Sequence, residues 1–140
     1  FLRAAATVLS DDPLFGTVAY GGLCERAGDG WKIWCRDGVR RRFHLLRGAL
    51  RAHLELERDH FDAAVPVEID DAATRLRFTL ESLSTAPHST FLTVSGLPRA
   101  AYGVTVDGKR VSELDTRDGR EAQAAIRVEG PRAEVVLEGK

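Results

Sequence analysis

Alternation of apolar and polar residues with a period of two is the feature that most restricts what this chain can become. From Leu50 to Glu57, Leu50, Ala52, Leu54 and Leu56 fall on one side and Arg51, His53, Glu55 and Glu57 on the other. From Thr74 to Ser82, Leu76, Phe78 and Leu80 face one way while Arg75, Arg77 and Thr79 face the other. Successive side chains of a strand point to opposite faces, whereas a helix would scatter these residues around its circumference. One wet face per strand favours antiparallel pairing. Further strands are expected at 17–24, 31–36, 40–46, 65–69, 90–96, 101–107, 109–112, 123–129 and 133–138. Short strands at this spacing predict an all-β fold, an antiparallel β-sandwich of roughly 9–11 short strands.

Turn residues sharpen the registers. Asp-Gly stands at 29–30, 37–38, 107–108 and 118–119, and this dipeptide favours the type I′ hairpin loop. Gly48-Ala49 as a type II′ loop sets Phe43 opposite Leu54 and Leu45 opposite Ala52. The same register sets Arg42 opposite Glu55 and Arg40 opposite Glu57, so one pairing satisfies both faces. Asp107-Gly108 as a loop would put Val104 opposite Val111. Pro131-Arg132 would put Val128 opposite Val135 and Ile126 opposite Leu137.

Phe1 to Leu9, FLRAAATVL, is Ala-rich and has no capping residue before it. It predicts the tail of a short N-terminal helix that begins upstream and is ended by Ser10-Asp11-Asp12-Pro13. Residues 1–12 are therefore expected to be a connector from an upstream domain, and 13–140 the sandwich. The chain begins with Phe1 and contains no Met, which reads as a segment of a longer protein. The net charge of −1 gives no global field toward nucleic acid or anionic lipid. No apolar run is long enough to span a membrane as a helix. Arg40-Arg41-Arg42 is basic, but alternate residues on a strand point apart, and no stacking aromatics accompany it. Neither nucleic acid nor membrane is expected as a partner, and no cofactor is implied.

Several residue groups invite a chemical reading. With Asp29-Gly30 as a hairpin loop, Cys24 and Cys35 lie directly opposite, at a site where a disulfide and two small buried thiols are both open. A disulfide would suit a secreted or periplasmic setting. His44 and His53 are outer-face neighbours in the Gly48-Ala49 register, and with Glu55 they could hold a divalent metal; alternatively they are solvated residues beside an ion pair. Asp59-His60-Phe61-Asp62 places acids around a histidine in a loop, and His88 lies in a Ser/Thr/Pro-rich loop with no visible partner. In Trp31-Lys32-Ile33-Trp34-Cys35, alternation sends Trp31 and Ile33 one way and Trp34 the other; if Trp31 is core, Trp34 is the exposed aromatic. An exposed Trp34 flanked by Lys32 and Arg36 could stack on a sugar ring; alternatively Trp34 is covered by the upstream domain or by the opposite sheet. Asp11-Asp12 and Asp70-Asp71 are adjacent pairs at turns, which suits capping better than paired-carboxylate catalysis. Hydrolase, nucleotide-binding and zinc-protease motifs do not occur, so no catalytic residue is assigned.

Thr90 to Lys109 reads TFLTVSGLPRAAYGVTVDGK. It resembles a stretch, LxVxGLPxGxYxVxVDG, found in β-sandwich modules attached to bacterial carbohydrate-active enzymes, where it forms adjacent strands. Ala101 stands where the pattern usually has Gly or Asn. Asp12 to Leu45, DPLFGTVAYGG through RDGVRRRFHLL, resembles the junction between a helical catalytic domain and a β-sandwich in some polysaccharide lyases and glycoside hydrolases. The resemblance implies a non-catalytic C-terminal accessory domain that braces an upstream catalytic domain or partner chain, and it carries no catalytic residue onto this sequence. Such a role predicts an exposed apolar interface at Phe1, Leu2, Leu14 and Phe15. Alternatives are a polysaccharide-binding module acting through Trp34, Lys32 and Arg36, and a small metal-binding enzyme subunit acting through His44, His53 and Glu55.

Overall fold

A computed structural model describes residues 6–140. Fourteen strands occupy them: β1 (Thr7–Asp12), β2 (Gly16–Tyr20), β3 (Gly22–Ala27), β4 (Gly30–Cys35), β5 (Arg42–Arg47), β6 (Leu50–Leu56), β7 (His60–Phe61), β8 (Val67–Asp70), β9 (Arg75–Glu81), β10 (His88–Ser95), β11 (Ala101–Val106), β12 (Lys109–Asp115), β13 (Ala122–Val128) and β14 (Arg132–Gly139). A single 3-10 turn, Arg117–Gly119, interrupts them. The strands form two sheets, ordered β13-β10-β6-β5-β1-β2 and β12-β11-β14-β9-β8-β4-β3, with β7 pairing β9. All-β is therefore correct, and the strand number exceeds the expectation. β1 in place of the expected helix, the two-residue β7, and the break at Gly21 that divides 17–24 into β2 and β3 account for the excess over eleven.

The inward faces supply the core. Leu54, Leu56, Phe43 and Leu45 of the first sheet and Leu76, Phe78, Leu80, Val135 and Leu137 of the second are buried. Phe61 packs edge-to-face on Phe43 and on Phe78, with centroids 6.4 and 5.3 Å apart. Tyr102, fully buried, donates its hydroxyl to the Ala73 carbonyl at 2.6 Å, which satisfies the one polar atom that its burial would otherwise strand.

Among the described residues the N-terminal helix is not seen. Thr7 to Leu9 belong to β1, which pairs antiparallel with β2 and parallel with β5; Phe1 to Ala5 lie outside the described residues. Thr7, Val8 and Leu9 alternate in burial like any other strand here, with Thr7 and Leu9 buried. Pairing on both sides outweighs the weak helical preference of an Ala-rich run. Residues 7–12 are thus a strand of the first sheet. β1 with β5 is a parallel pair in an otherwise antiparallel fold, permitted because the chain visits the second sheet between them.

The β5–β6 register holds. Arg42 opposes Glu55, Phe43 opposes Leu54, His44 opposes His53 and Leu45 opposes Ala52. Arg40 departs: the ladder stops at Arg42, and Arg40, at φ +51°, pairs with Glu81 at 2.8 Å instead of Glu57. Asp107 and Gly108 both take positive φ, as a type I′ loop requires. A bulge at Val104/Thr105 then sets Val104 opposite Ser112, not Val111.

Two other pairings fail because the chain changes sheet. β13 pairs with β10 in the first sheet, while β14 lies between β11 and β9 in the second. Val128 and Ile126 therefore face His88 and Thr90 across the ladder, not Val135 and Leu137. β10 and β11, which the resemblance implied to be adjacent, also lie in opposite sheets. The link between them turns at Gly96, with φ +73° and the Arg51 carbonyl oxygen 1.9 Å from where a Cβ would stand. Only glycine fits that approach.

Candidate functional site

The most distinctive surface lies at the β1–β2 hairpin and the strands beside it. Asp12 organises the tip: its Oδ1 accepts the backbone N–H of Leu14 at 2.8 Å and of Phe15 at 3.0 Å. These bonds, in that order, hold the Asp12 carboxyl below its ordinary value. Gly16 closes the turn at φ +79°. Leu14 and Phe15 are left 86% and 78% exposed. Tyr20 and Leu23, each 54% exposed, follow on β2 and β3. Four of the nine exposed large hydrophobics among the described residues thus fall within 14–23. Scattered exposed apolar residues need no explanation, but a concentration in one stretch marks a contact surface. Phe1 and Leu2, expected in the same patch, lie outside the described residues.

Ionic contacts tie this hairpin to the second sheet. Arg47 lies 3.4 Å from Asp11 and 3.4 Å from Asp71. Asp71 also takes a two-pronged bond from Arg26, at 2.6 and 2.8 Å, and this contact first of all draws its carboxyl down to about 2. Both guanidiniums also lie over the Trp31 ring, Arg26 at 5.4 Å and Arg47 at 5.8 Å from its centroid. Asp12 and Asp70 cap turns while Asp11 and Asp71 pair with arginines, so the acidic doublets do structural work, as the sequence suggested.

Beside Trp31 the outer face of the second sheet carries a groove of about 370 Å³. Gly30 lies in its lining, and a Cβ there would stand 2.1 Å from the Ile69 carbonyl. Lys32, Glu68, Asp70, Thr74, Arg75 and Arg77 line its walls. Asp70 is committed to the β8–β9 turn, accepting the N–H groups of Thr74 and Arg75 at 2.8 and 2.9 Å and the Thr74 hydroxyl. Arg77 is held by Glu134 at 2.6 Å.

The sequence-derived candidates distribute as follows. Trp31 points toward the core and Trp34 outward, as alternation required. Trp34 is half-buried, not fully exposed, and stands opposite Leu23. Lys32 opposes Glu25 and Glu68, and Arg36 is exposed past the strand end. Cys24 opposes Ile33 and Cys35 opposes Gly22, because Gly28-Asp29 forms the loop in place of Asp29-Gly30. That two-residue shift keeps both cysteines on one face but removes the direct opposition. Both are free thiols, and burial pushes Cys35 up to about 12 and Cys24 upward.

Among the histidines, His44 and His53 meet edge-to-face with ring centroids 4.6 Å apart, and their Nδ1 atoms face each other in a hydrogen bond. Burial, then His53 and Arg42, lowers His44. Glu55 turns to Arg42, 3.5 Å away, and no group of three or more His, Cys, Asp or Glu among the described residues is arranged as a metal site. In the 59–62 loop the acids do not converge on His60, whose Nδ1 lies 3.3 Å from Arg40. Asp62 takes Arg132 at 2.7 Å, and Asp59 takes His88 at 2.7 Å. The Asp59–His88 pair spans 29 positions and had no signal in the sequence. His88 Nδ1 also meets the Ala86 carbonyl at 3.0 Å. Both ring nitrogens of His88 thus face acceptors, an arrangement that favours its protonated form.

The chain matches no protein-family model, no curated protein and no solved structure.

Proposed function

We propose that this chain is a non-catalytic β-sandwich accessory module of a larger carbohydrate-active enzyme, docking on the neighbouring catalytic domain or partner chain through the β1–β2 hairpin. The observation that carries the docking surface is the pair Leu14 and Phe15, held outward on an ordered turn. Full burial of each would contribute about 1.5–3 kcal/mol, which a free tip forgoes. The tie to carbohydrate chemistry rests on the sequence resemblance of Thr90–Lys109, whose Leu92, Val94, Leu97, Tyr102, Val104 and Val106 are all core residues. That stretch supports the fold of the module and not a site.

Calorimetry on the intact parent protein tests the docking, with wild type compared to a Leu14→Ser, Phe15→Ser double variant. The module's own unfolding is expected to be unchanged, while the neighbouring domain loses the stabilisation it draws from the contact and melts earlier. Identical transitions for both domains in the two proteins would overturn the reading.

A second reading, a polysaccharide-binding module, is favoured by the polar groove over Gly30 with Lys32 and Arg75 on its walls and Trp34 on the same face of β4 as Lys32. Hydroxyl-rich ligands need such converging polar groups beside apolar surface. Affinity electrophoresis against a polysaccharide panel tests it: retardation lost in Lys32→Ala and in Trp34→Ala supports it, and no retardation of wild type removes it.

A further inference from the structure

We propose that His44 and His53 form a two-imidazole site for a divalent transition ion, Zn²⁺ or its neighbours Ni²⁺ and Cu²⁺, on the outer face of the first sheet. The placement follows from the hairpin. Arg47 and Leu50 flank the two-residue loop and form a hydrogen-bonded pair, so alternate pairs outward leave His44 and His53 at a non-hydrogen-bonded site. Side chains approach closest at such sites. The two rings are accordingly in contact, half-buried, with Nδ1 turned toward Nδ1.

That hydrogen bond needs one proton between two nitrogens, so one ring must present a lone pair. A second proton would set two cations in contact beside Arg42, which opposes it. A metal ion relieves the same conflict by accepting both lone pairs. Zinc–imidazole bonds of roughly 2.0–2.1 Å need the nitrogens only slightly further apart than in a hydrogen bond, a change within reach of small side-chain rotations. Imidazole suits this group of metals over magnesium or calcium. Ser95 flanks His53 on the far side and Val8 flanks His44, so remaining positions go to water. The other described histidines are less suited: both nitrogens of His88 are engaged, and His60 accepts from Arg40.

Titration calorimetry with ZnCl₂ on metal-stripped chain tests the site. One equivalent is expected to bind, and His44→Gln and His53→Gln are each expected to lose at least roughly tenfold in affinity, since even outer-shell losses reach that size. Glu55→Gln is expected to bind as wild type does. Imidazole nitrogen resonances provide a second readout on unmutated protein: one equivalent of Zn²⁺ should shift those of His44 and His53 and leave His88 in place. Absence of stoichiometric binding, undiminished binding in the two histidine variants, or shifts confined to His60 and His88 would each overturn the assignment.

Discussion

The β5–β6 and β1–β2 hairpins belong to the same sheet and obey the same alternation, yet they use their apolar residues in opposite ways. β5–β6 lies at the centre and sends Phe43, Leu45, Ala52 and Leu54 entirely into the core. β1–β2 lies at the edge and commits Leu9 inward, but holds Leu14 and Phe15 out in solvent on a turn fixed by Asp12. A central hairpin is constrained on every side by the fold, whereas an edge hairpin has surface left for another molecule. The largest test of that contrast is a matched pair of substitutions in the isolated chain. Leu54→Ala removes a fully buried side chain and should cost about 3 kcal/mol, a fall in Tm of roughly 10 °C. Phe15→Ser should stay within about 0.5 kcal/mol of wild type. A comparable loss at Phe15, measured by thermal unfolding, would mean that the tip already packs against something in the isolated chain, such as a second copy.

The same contrast explains how much the sequence disclosed. The β5–β6 register was legible because both faces encode it: a slip would expose Leu54 and separate Arg42 from Glu55. The β3–β4 register was misread by two residues because a two-residue shift preserves every face, and Gly28-Asp29 and Asp29-Gly30 are equally good loops. Sheet changes were not legible at all. Pro131-Arg132 and Gly96 look like hairpin turns locally, and only the packing of two complete sheets assigns β13 and β14, or β10 and β11, to opposite sides. The exposure of Leu14 and Phe15 was expected only through the bracing role that the resemblance implies; no local pattern around them encodes it. The Asp59–His88 contact was not, since nothing local relates residues so far apart.

Titration sharpens the contrast between interior and edge, because each carries a carboxylate whose partner fixes the sign. Asp59 is 1% exposed and faces His88. The Ala86 carbonyl, then Asp59, raises His88 above its ordinary 6.5. A raised histidine stabilises the fold fully below the unfolded value and loses that contribution as pH climbs through the folded one. His44 is lowered and works in the opposite sense, weakening the fold as pH falls below 6.5. Wild type must therefore be compared with His88→Gln at each pH. The Tm difference between them should be greatest below about pH 6.5 and shrink on going alkaline; a difference that does not vary with pH would show that His88 is not held as a cation.

At the edge the sign reverses and the effect is smallest. Asp12 is lowered by the Leu14 and Phe15 N–H groups, so its contribution is present above the ordinary 3.8 and is lost as pH falls through the folded value. The contribution is confined to the turn, so global Tm should move by about 1 °C or less in Asp12→Ala. The informative measurement is local: amide resonances of Leu14 and Phe15 should titrate together with a midpoint below 3.8, while those of β5–β6 stay still. Separate midpoints for the two amides would break the assignment of both to one carboxylate. If they do titrate together, Asp12→Ala becomes the cleanest probe of docking. It leaves Leu14 and Phe15 in the chain and removes only the order with which they are presented, so any binding lost in that variant is lost to presentation and not to missing apolar surface.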